Sequence, residues 1–217
     1  MTNDKGRMTA RGKFITFEGP EGGGKTTHAR RLVEQLQAAG RQVLYTREPG
    51  GTPTGEAIRD ILQHDKAGEA PCSETEVLLF AASRAQLVRH VIIPALERGA
   101  WVVCDRFADS TTAYQGYGRG FPVEQMIAIN EFAINGAQPD LTLLLDLPVS
   151  DGFARLQQRG GQKDRIEREA LEFHERVRAG YLAMAQRWPE RFRVVDVRRP
   201  VEEVTAEIWN LVERVSR

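Results

Sequence analysis

Between Phe14 and Leu32 the chain reads FITFEGPEGGGKTTHARRL, an apolar run, a glycine-rich turn and the start of a helical pattern. Gly19, Pro20, Glu21, Gly22, Gly23, Gly24, Lys25 and Thr26 fit the spacing G-x-x-x-x-G-K-[ST]. The chemistry follows from the residue types. Small residues let successive backbone N–H groups turn inward around a phosphate, and a helix opening near Thr26 and Thr27 adds its positive end. The Lys25 ammonium can reach the β- and γ-phosphates, and the Thr26 hydroxyl can ligate Mg²⁺. A strand before the turn and a helix after it are what this mechanism requires. The expected donor is Mg²⁺-ATP or a similar triphosphate. An N-K-x-D base-reading motif is absent from the sequence, which argues against a GTPase.

Three further clusters follow apolar runs or sit in a helical pattern, and these must identify the acceptor. TREPGGTPTGEAIRDIL, from Thr46, carries Arg47 and Glu48 ahead of a Pro49-Gly50-Gly51-Thr52 turn. LLFAASRAQ, from Leu78, places Phe80 and Arg84 four apart and so on one helix face. A ring to stack on a base and a guanidinium to donate to its carbonyl make a base-recognition pair, although the same spacing also suits a core position for Phe80. In WVVCDRFADSTTAYQGYGRG, from Trp101, Asp105 ends an apolar run, where a carboxylate can hold a hydrated Mg²⁺. Arg106 follows with a fork of donors for a phosphate. A fourth stretch, RLQQRGGQKDRIERE, breaks helical continuity at Gly160-Gly161 and carries Arg155, Arg159, Lys163, Arg165 and Arg168. It reads either as a solvated loop of mixed charge or as a lid that brings an arginine to the transferring phosphoryl group.

The elements needed to position these groups are legible. KFITF, QVLYT, WVVCD, LTLLLDL and FRVVDV read as strands, and their near-continuous hydrophobicity predicts a parallel sheet buried on both faces. Helical patterns cover residues 26–39, 73 to about 96, 123–135, 149–159, 167–187 and 201–215. Gly40 stands where a helix C′ glycine belongs, Ser73 with Glu76 has capping-box spacing, and Pro94 predicts a kink. The alternation predicts an α/β fold, a three-layer doubly wound parallel sheet of five strands. Residues 1–12 read as a flexible segment, 13–217 as a single domain with a lid at about 155–169.

Composition bounds the reading. The 217 residues, 41% of them hydrophobic, suffice for one core. Lys plus Arg equals Asp plus Glu at 30 each, so the basic excess of a nucleic-acid binder is missing and any anion site is local. Cys72 and Cys104 suit a reducing cytoplasm rather than a disulfide scaffold. There is no unbroken apolar run of 18 residues and no apolar stretch at the start, which predicts neither a membrane span nor a signal peptide.

In order, the P-loop with its acidic third residue, TREPGGT, LLFAASRAQ, DRFADSTTAYQG and KDRIERE resemble the bacterial thymidylate kinases, from Lys13 to about the C-terminus. The resemblance implies the P-loop nucleoside-monophosphate-kinase fold, a homodimer, and the reaction of ATP with dTMP to give ADP and dTDP. Carried onto this chain, it implies that Phe80 stacks on thymine, Arg84 bonds its O4, and Arg106 holds the dTMP phosphate. It implies too that Tyr114 crowds the sugar's 2′ position. Thr111, Thr112 and Gln115 fall near base and sugar, and Glu21 near the 3′-hydroxyl and phosphate. Phe107 departs from the Tyr or His of many relatives. Gly22 occupies the position where some members carry a basic residue, which transfers that duty to the lid. Arg159 leads, Arg165 is second, and Arg155 is placed against adenine, while Gln157 stands where some relatives are basic. With Lys25 and Arg106 these form the expected catalytic set. Other nucleotide or nucleoside kinases and a nucleotide-binding switch remain rivals at this point, the nucleoside case needing Glu18 or Glu48 as base.

Overall fold

The computed structural model describes residues 11–64, 68–160 and 164–215, with the side chains of His64 and Arg159 outside that description. The strands β1 (Phe14–Glu18), β2 (Val43–Arg47), β3 (Trp101–Asp105), β4 (Leu141–Asp146) and β5 (Phe192–Asp196) form one parallel sheet in the order β2-β3-β1-β4-β5. β1, which leads into the P-loop, pairs with β3 on one side and β4 on the other, bringing Phe17 opposite Asp105. That register sets the turn after β1 and the turn after β3 side by side.

The helices are α1 (Lys25–Ala38), α2 (Pro53–His64), α3 (Ser73–Leu87), α4 (Ile93–Glu97), α5 (Ala108–Thr111), α6 (Val123–Ile134), α7 (Val149–Arg159), α8 (Leu171–Arg187) and α9 (Val201–Val215). Side-chain alternation along the strands builds two cores. Ile15, Phe17, Val103, Leu143 and Leu145 pack under Leu32 and Leu36 of α1 and Val204, Ile208 and Val212 of α9. On the other face, Phe14, Val102 and Cys104 meet Leu87, Val88, Ile92 and Leu96, while Leu144 meets Val177 and Tyr181 of α8. The three-layer expectation is met. β1 and β3 are buried throughout, but the edge strands β2 and β5 are not; Arg193 and Val194 face outward. Continuous hydrophobicity therefore overstates burial at a sheet edge, where one neighbour is missing.

Local signals are corrected in two places. Ser73 and Glu76 form no capping box: Cys72 is the N-cap, without a side-chain cap, and the Glu76 carboxylate is spent on distant arginines. Ahead of Pro94, π-helical Val88–Ile92 joins α3 to α4, and the wider turn accommodates the N–H that Pro94 lacks in the first turn of α4. The combined helix Ser73–Glu97 has a window of mean hydropathy 1.3. That window includes Arg84, and Leu87, Val88, Ile92 and Leu96 are buried in the core. α8 starts at Leu171 rather than Glu167, because Asp164 and Glu167 exchange side-chain-to-backbone hydrogen bonds that close a separate turn. Of the segment 1–12, residues 1–10 lie outside the described ones, and the Gly12 N–H donates to Leu96 O.

Candidate active site

The P-loop takes the backbone shape its glycines allow. Gly22 has φ +74°, a conformation costly for residues with a Cβ, and a Cβ there would lie 2.4 Å from Gly152 O in the first turn of α7. The reverse holds as well, since a Cβ on Gly152 would lie 2.3 Å from Glu21 O. Two backbones touch only because both residues are glycine, and a basic residue in place of Gly22 has no room. Lys25 Nζ donates to Gly19 O at 3.0 Å and Pro20 O at 2.7 Å, which holds the ammonium across the loop mouth. Burial, with the nearby Arg106 charge, lowers its pKa to about 8.

Thr26 Oγ1 donates to Asp105 Oδ2 across 2.5 Å. A hydroxyl and one carboxylate suit a hard cation that keeps several waters, so Thr26 and Asp105 fit Mg²⁺. Among the described residues no group of three or more His, Cys, Asp or Glu side chains gathers as a metal cage.

At the tip of β3, Arg106 adopts φ +67°, a strained conformation for a residue with a side chain, as its N–H donates to Phe17 O. Its guanidinium is thereby turned toward the P-loop. Nη2 contacts Glu21 Oε1 at 2.5 Å, Nη1 donates to Gly19 O, and the group lies over the Tyr114 ring at 5.1 Å. Tyr114 also donates to Glu21 Oε1. Burial alone would raise the Glu21 carboxyl, but Arg106 and Lys25 outweigh it and hold the pKa at about 2.

A cleft of about 510 Å³ joins these groups. It is lined by Gly22, Gly24, Lys25, Thr26 and Thr27 of the loop, by Asp105 and Arg106, and by Phe80, Thr111, Tyr114 and Gln115. Phe80 is half-buried and presents its ring to the cleft. Arg84 does not line it: 1% exposed, it lies behind the wall. There Nε meets Glu48 Oε2, Nη1 meets Asn130 Oδ1, and Nη2 meets Thr111 Oγ1. Thr112 is likewise behind the wall, accepting from Asn130. Glu48 Oε1 is buried without a hydrogen bond, and burial pushes the Glu48 carboxyl up against the pull of Arg84. Neither carboxylate suits a nucleoside kinase's base. Glu48 is bound to Arg84, and both Glu18 oxygens are occupied by Phe107 N, Ser110 Oγ and Tyr181 OH.

The lid residues separate. Arg155 lines the cleft at its loop end and donates to Val197 O. Arg165 turns away, donating to Leu62 O and pairing with Glu76, while Asp164, Ile166 and Glu167 take the cleft-side positions. Arg159 closes α7, and its side chain lies outside the described residues, as does Lys163.

The thymidylate kinase family model matches residues 17–208. A thymidylate kinase of Thermomicrobium roseum is 52% identical over 204 residues, 94% of this chain and 96% of that one. One of Pelotomaculum thermopropionicum is 50% identical over 205 residues, 94% of each chain. The crystal structure of thymidylate kinase from Ehrlichia chaffeensis superposes with a TM-score of 0.75 at 34% identity, over 93% of this chain and 99% of that one. This chain belongs to the thymidylate kinase family. It is a nucleoside monophosphate kinase, a transferase, and its activity is phosphorylation of dTMP on the way to dTTP.

For a thymidylate kinase, cleft residues such as Arg59 and Gln63 escaped sequence reasoning as site candidates. They line the cleft from α2, beside Arg47 of β2, which the sequence already singled out. Arg47 pairs with both Glu56 oxygens, and Arg59 donates to Pro49 O. The available signal was the i, i+3, i+4 run Glu56-Arg59-Asp60-Gln63, a helical pattern hidden behind Pro53-Thr54-Gly55, which reads as a turn.

Proposed function

We propose that the enzyme transfers the γ-phosphoryl group of Mg²⁺-ATP directly and in line to the phosphate of dTMP, with no covalent intermediate. The supporting observation is the shared cleft: the P-loop cradle and the Arg106 fork face one another in one volume, with Glu21 between them. Phosphoryl transfer asks little covalent work of the protein, so positioning and charge neutralisation carry the rate. In this reading Gly19–Thr27 hold the ATP phosphates, Lys25 neutralises charge at the transferring group, and Arg155 lies against adenine. Bound Mg²⁺ supplies further neutralisation, with Thr26 and Asp105 as its protein partners. Arg106 orients the attacking oxygen of dTMP, which is already anionic and needs no general base. Phe80 stacks on thymine beside Thr111 and Gln115, Tyr114 packs at the sugar, and Glu21 faces the 3′-hydroxyl side.

Arg84 reaches the thymine O4, through the second hydrogen of Nη1, only if the Thr111 wall in front of it opens. Arg159 is the lid arginine that meets the transferring phosphoryl. Arg165, bound to Glu76, serves that role only if the Glu76 pair breaks. Arg159→Ala then cuts single-turnover transfer with little change in dTMP affinity; an unchanged rate removes it from the mechanism.

The reading includes a homodimer, supported by exposed Leu78 (61%) and Phe132 (86%) on the neighbouring helices α3 and α6. It places the enzyme in the cytoplasm without nucleic-acid or membrane partners, in keeping with zero formal charge and two free cysteines. ADP release across dTMP, dUMP, CMP, GMP and AMP tests the function. Strong preference for dTMP is expected, and hydrolysis independent of any acceptor contradicts it.

A further inference from the structure

We propose that Glu76 is a positioning residue for pyrimidine selection: it fixes the side-chain amide of Gln115 so that the carbonyl, not the nitrogen, faces the acceptor pocket. Glu76 lies in the first turn of α3, fully buried, and does not line the cleft. Gln115 lies in π-helical Thr112–Gly118 and does line it. Their contact is Gln115 Nε2 to Glu76 Oε1 at 2.7 Å. An ionised carboxylate only accepts, so the amide nitrogen must be the group that meets it. Gln115 Oε1 is then the polar atom left for the cleft.

The carboxylate is held in this acceptor-only state from two other sides. Arg119 gives Nε to Oε1 at 2.8 Å and Nη2 to Oε2 at 3.0 Å, and Arg165 gives Nη2 to Oε2. Arg119 is itself tied to Glu169 at 2.9 Å. Two guanidinium groups around one carboxylate leave it no reason to take a proton, and a buried amide cannot flip without placing two acceptors face to face. Such locking matters because pyrimidines differ along one edge. A thymine ring offers a carbonyl and an N3–H donor, whereas cytosine offers an amino group and a bare N3 acceptor. Set opposite N3, a carbonyl from Gln115 accepts from the N3–H of thymine and meets only a lone pair on the N3 of cytosine. A site built to pair with a specific donor discriminates strongly against the analogue that lacks it.

This inference rests on the proposed seat of dTMP beside Phe80 and Gln115, and the experiment separates the two. Measure kcat/KM for dTMP and dCMP, reading dCMP as a competitive inhibitor where it is not phosphorylated, for the wild type, Glu76→Gln, Gln115→Met and the double variant. A glutamine at 76 can donate as well as accept, so both amide orientations become available. The dTMP-to-dCMP ratio is expected to fall at least tenfold in E76Q and in Q115M, with E76Q adding no further fall on the Q115M background. Should E76Q melt below the assay temperature, Glu76→Asp, which withdraws the carboxylate by one methylene, is read for the same ratio. Equal losses for both nucleotides, leaving the ratio intact, overturn the role and leave Glu76 structural. A wild type without preference for dTMP instead overturns the seat of the base.

Discussion

Arg106 and Glu21 lie in contact, Nη2 to Oε1 at 2.5 Å, so the tip of β3 is tied directly to the P-loop. The pair lies in the cleft between the P-loop and the turn after β3, and Glu21 keeps Arg106 aimed into it. On the proposed function, an acceptor phosphate would compete with Glu21 for the fork.

Arg106→Ala should lower single-turnover transfer by roughly 10²–10³-fold, because one preorganised charged donor at a transferring group is worth that much. Arg106→Lys should recover only part, since an ammonium cannot present two parallel donors. Rapid-quench kinetics at saturating ATP reads both, and near-wild-type rates for the alanine variant would remove the clamp from the mechanism.

Lys25 predicts a proton linkage. With its pKa lowered to about 8 in the structure, the side chain is partly neutral above that pH, and phosphates placed beside it restore the charge. ATP binding should therefore take up a proton above pH 8, and affinity should weaken toward about tenfold per pH unit. Calorimetry in buffers of different ionisation heat measures the uptake; zero uptake at pH 9 contradicts it. The empty protein gains stability from the same group as pH rises from about 8 to the ordinary 10.5, because there the unfolded chain holds the proton the folded one has released.

Glu18 acts in the opposite window. Burial raises its carboxyl from 4.5 to about 7, with Asp109 adding to the effect. Between those values the folded protein binds the proton and the unfolded chain does not, so stability from this group is present below 4.5 and lost as pH rises through 7. Glu18→Gln should flatten the pH dependence of thermal unfolding over that range. A slope equal to that of the wild type would reject the assignment.

The Gly22–Gly152 contact predicts that Gly152→Ala raises the KM for ATP at least tenfold, on the order of 1.4 kcal/mol, because Glu21 and Gly22 must retreat from the added methyl. The KM for dTMP should move less. Equal effects on the two would show a general disturbance instead.

What the sequence shows well is whatever local spacing controls. β3 and α7 begin and end where hydrophobic period and chain breaks say they should, and the P-loop is explicit in its glycines. What it conceals is set by partners far along the chain. Glu76 looks like a capping residue until Arg119 and Arg165 arrive from 43 and 89 positions away. Arg84 shares a helix face with Phe80, yet the pull of Glu48 and Asn130 draws its guanidinium behind the wall that Phe80 faces from the other side. The contact between Gly22 and Gly152 has no local signature, because two backbones meet there and no side chain records it.

The arrangement of the two anion sites in one cleft is tested most directly by calorimetric titration with a dinucleotide that joins adenosine to deoxythymidine through five phosphates. Bridging both sites makes the second binding event intramolecular, so the account predicts affinity at least a hundredfold above that of ATP or dTMP alone, with most of the gain lost in Arg106→Ala. Affinity no better than that of ATP alone would mean that the P-loop and Arg106 do not grip their phosphates in one continuous site.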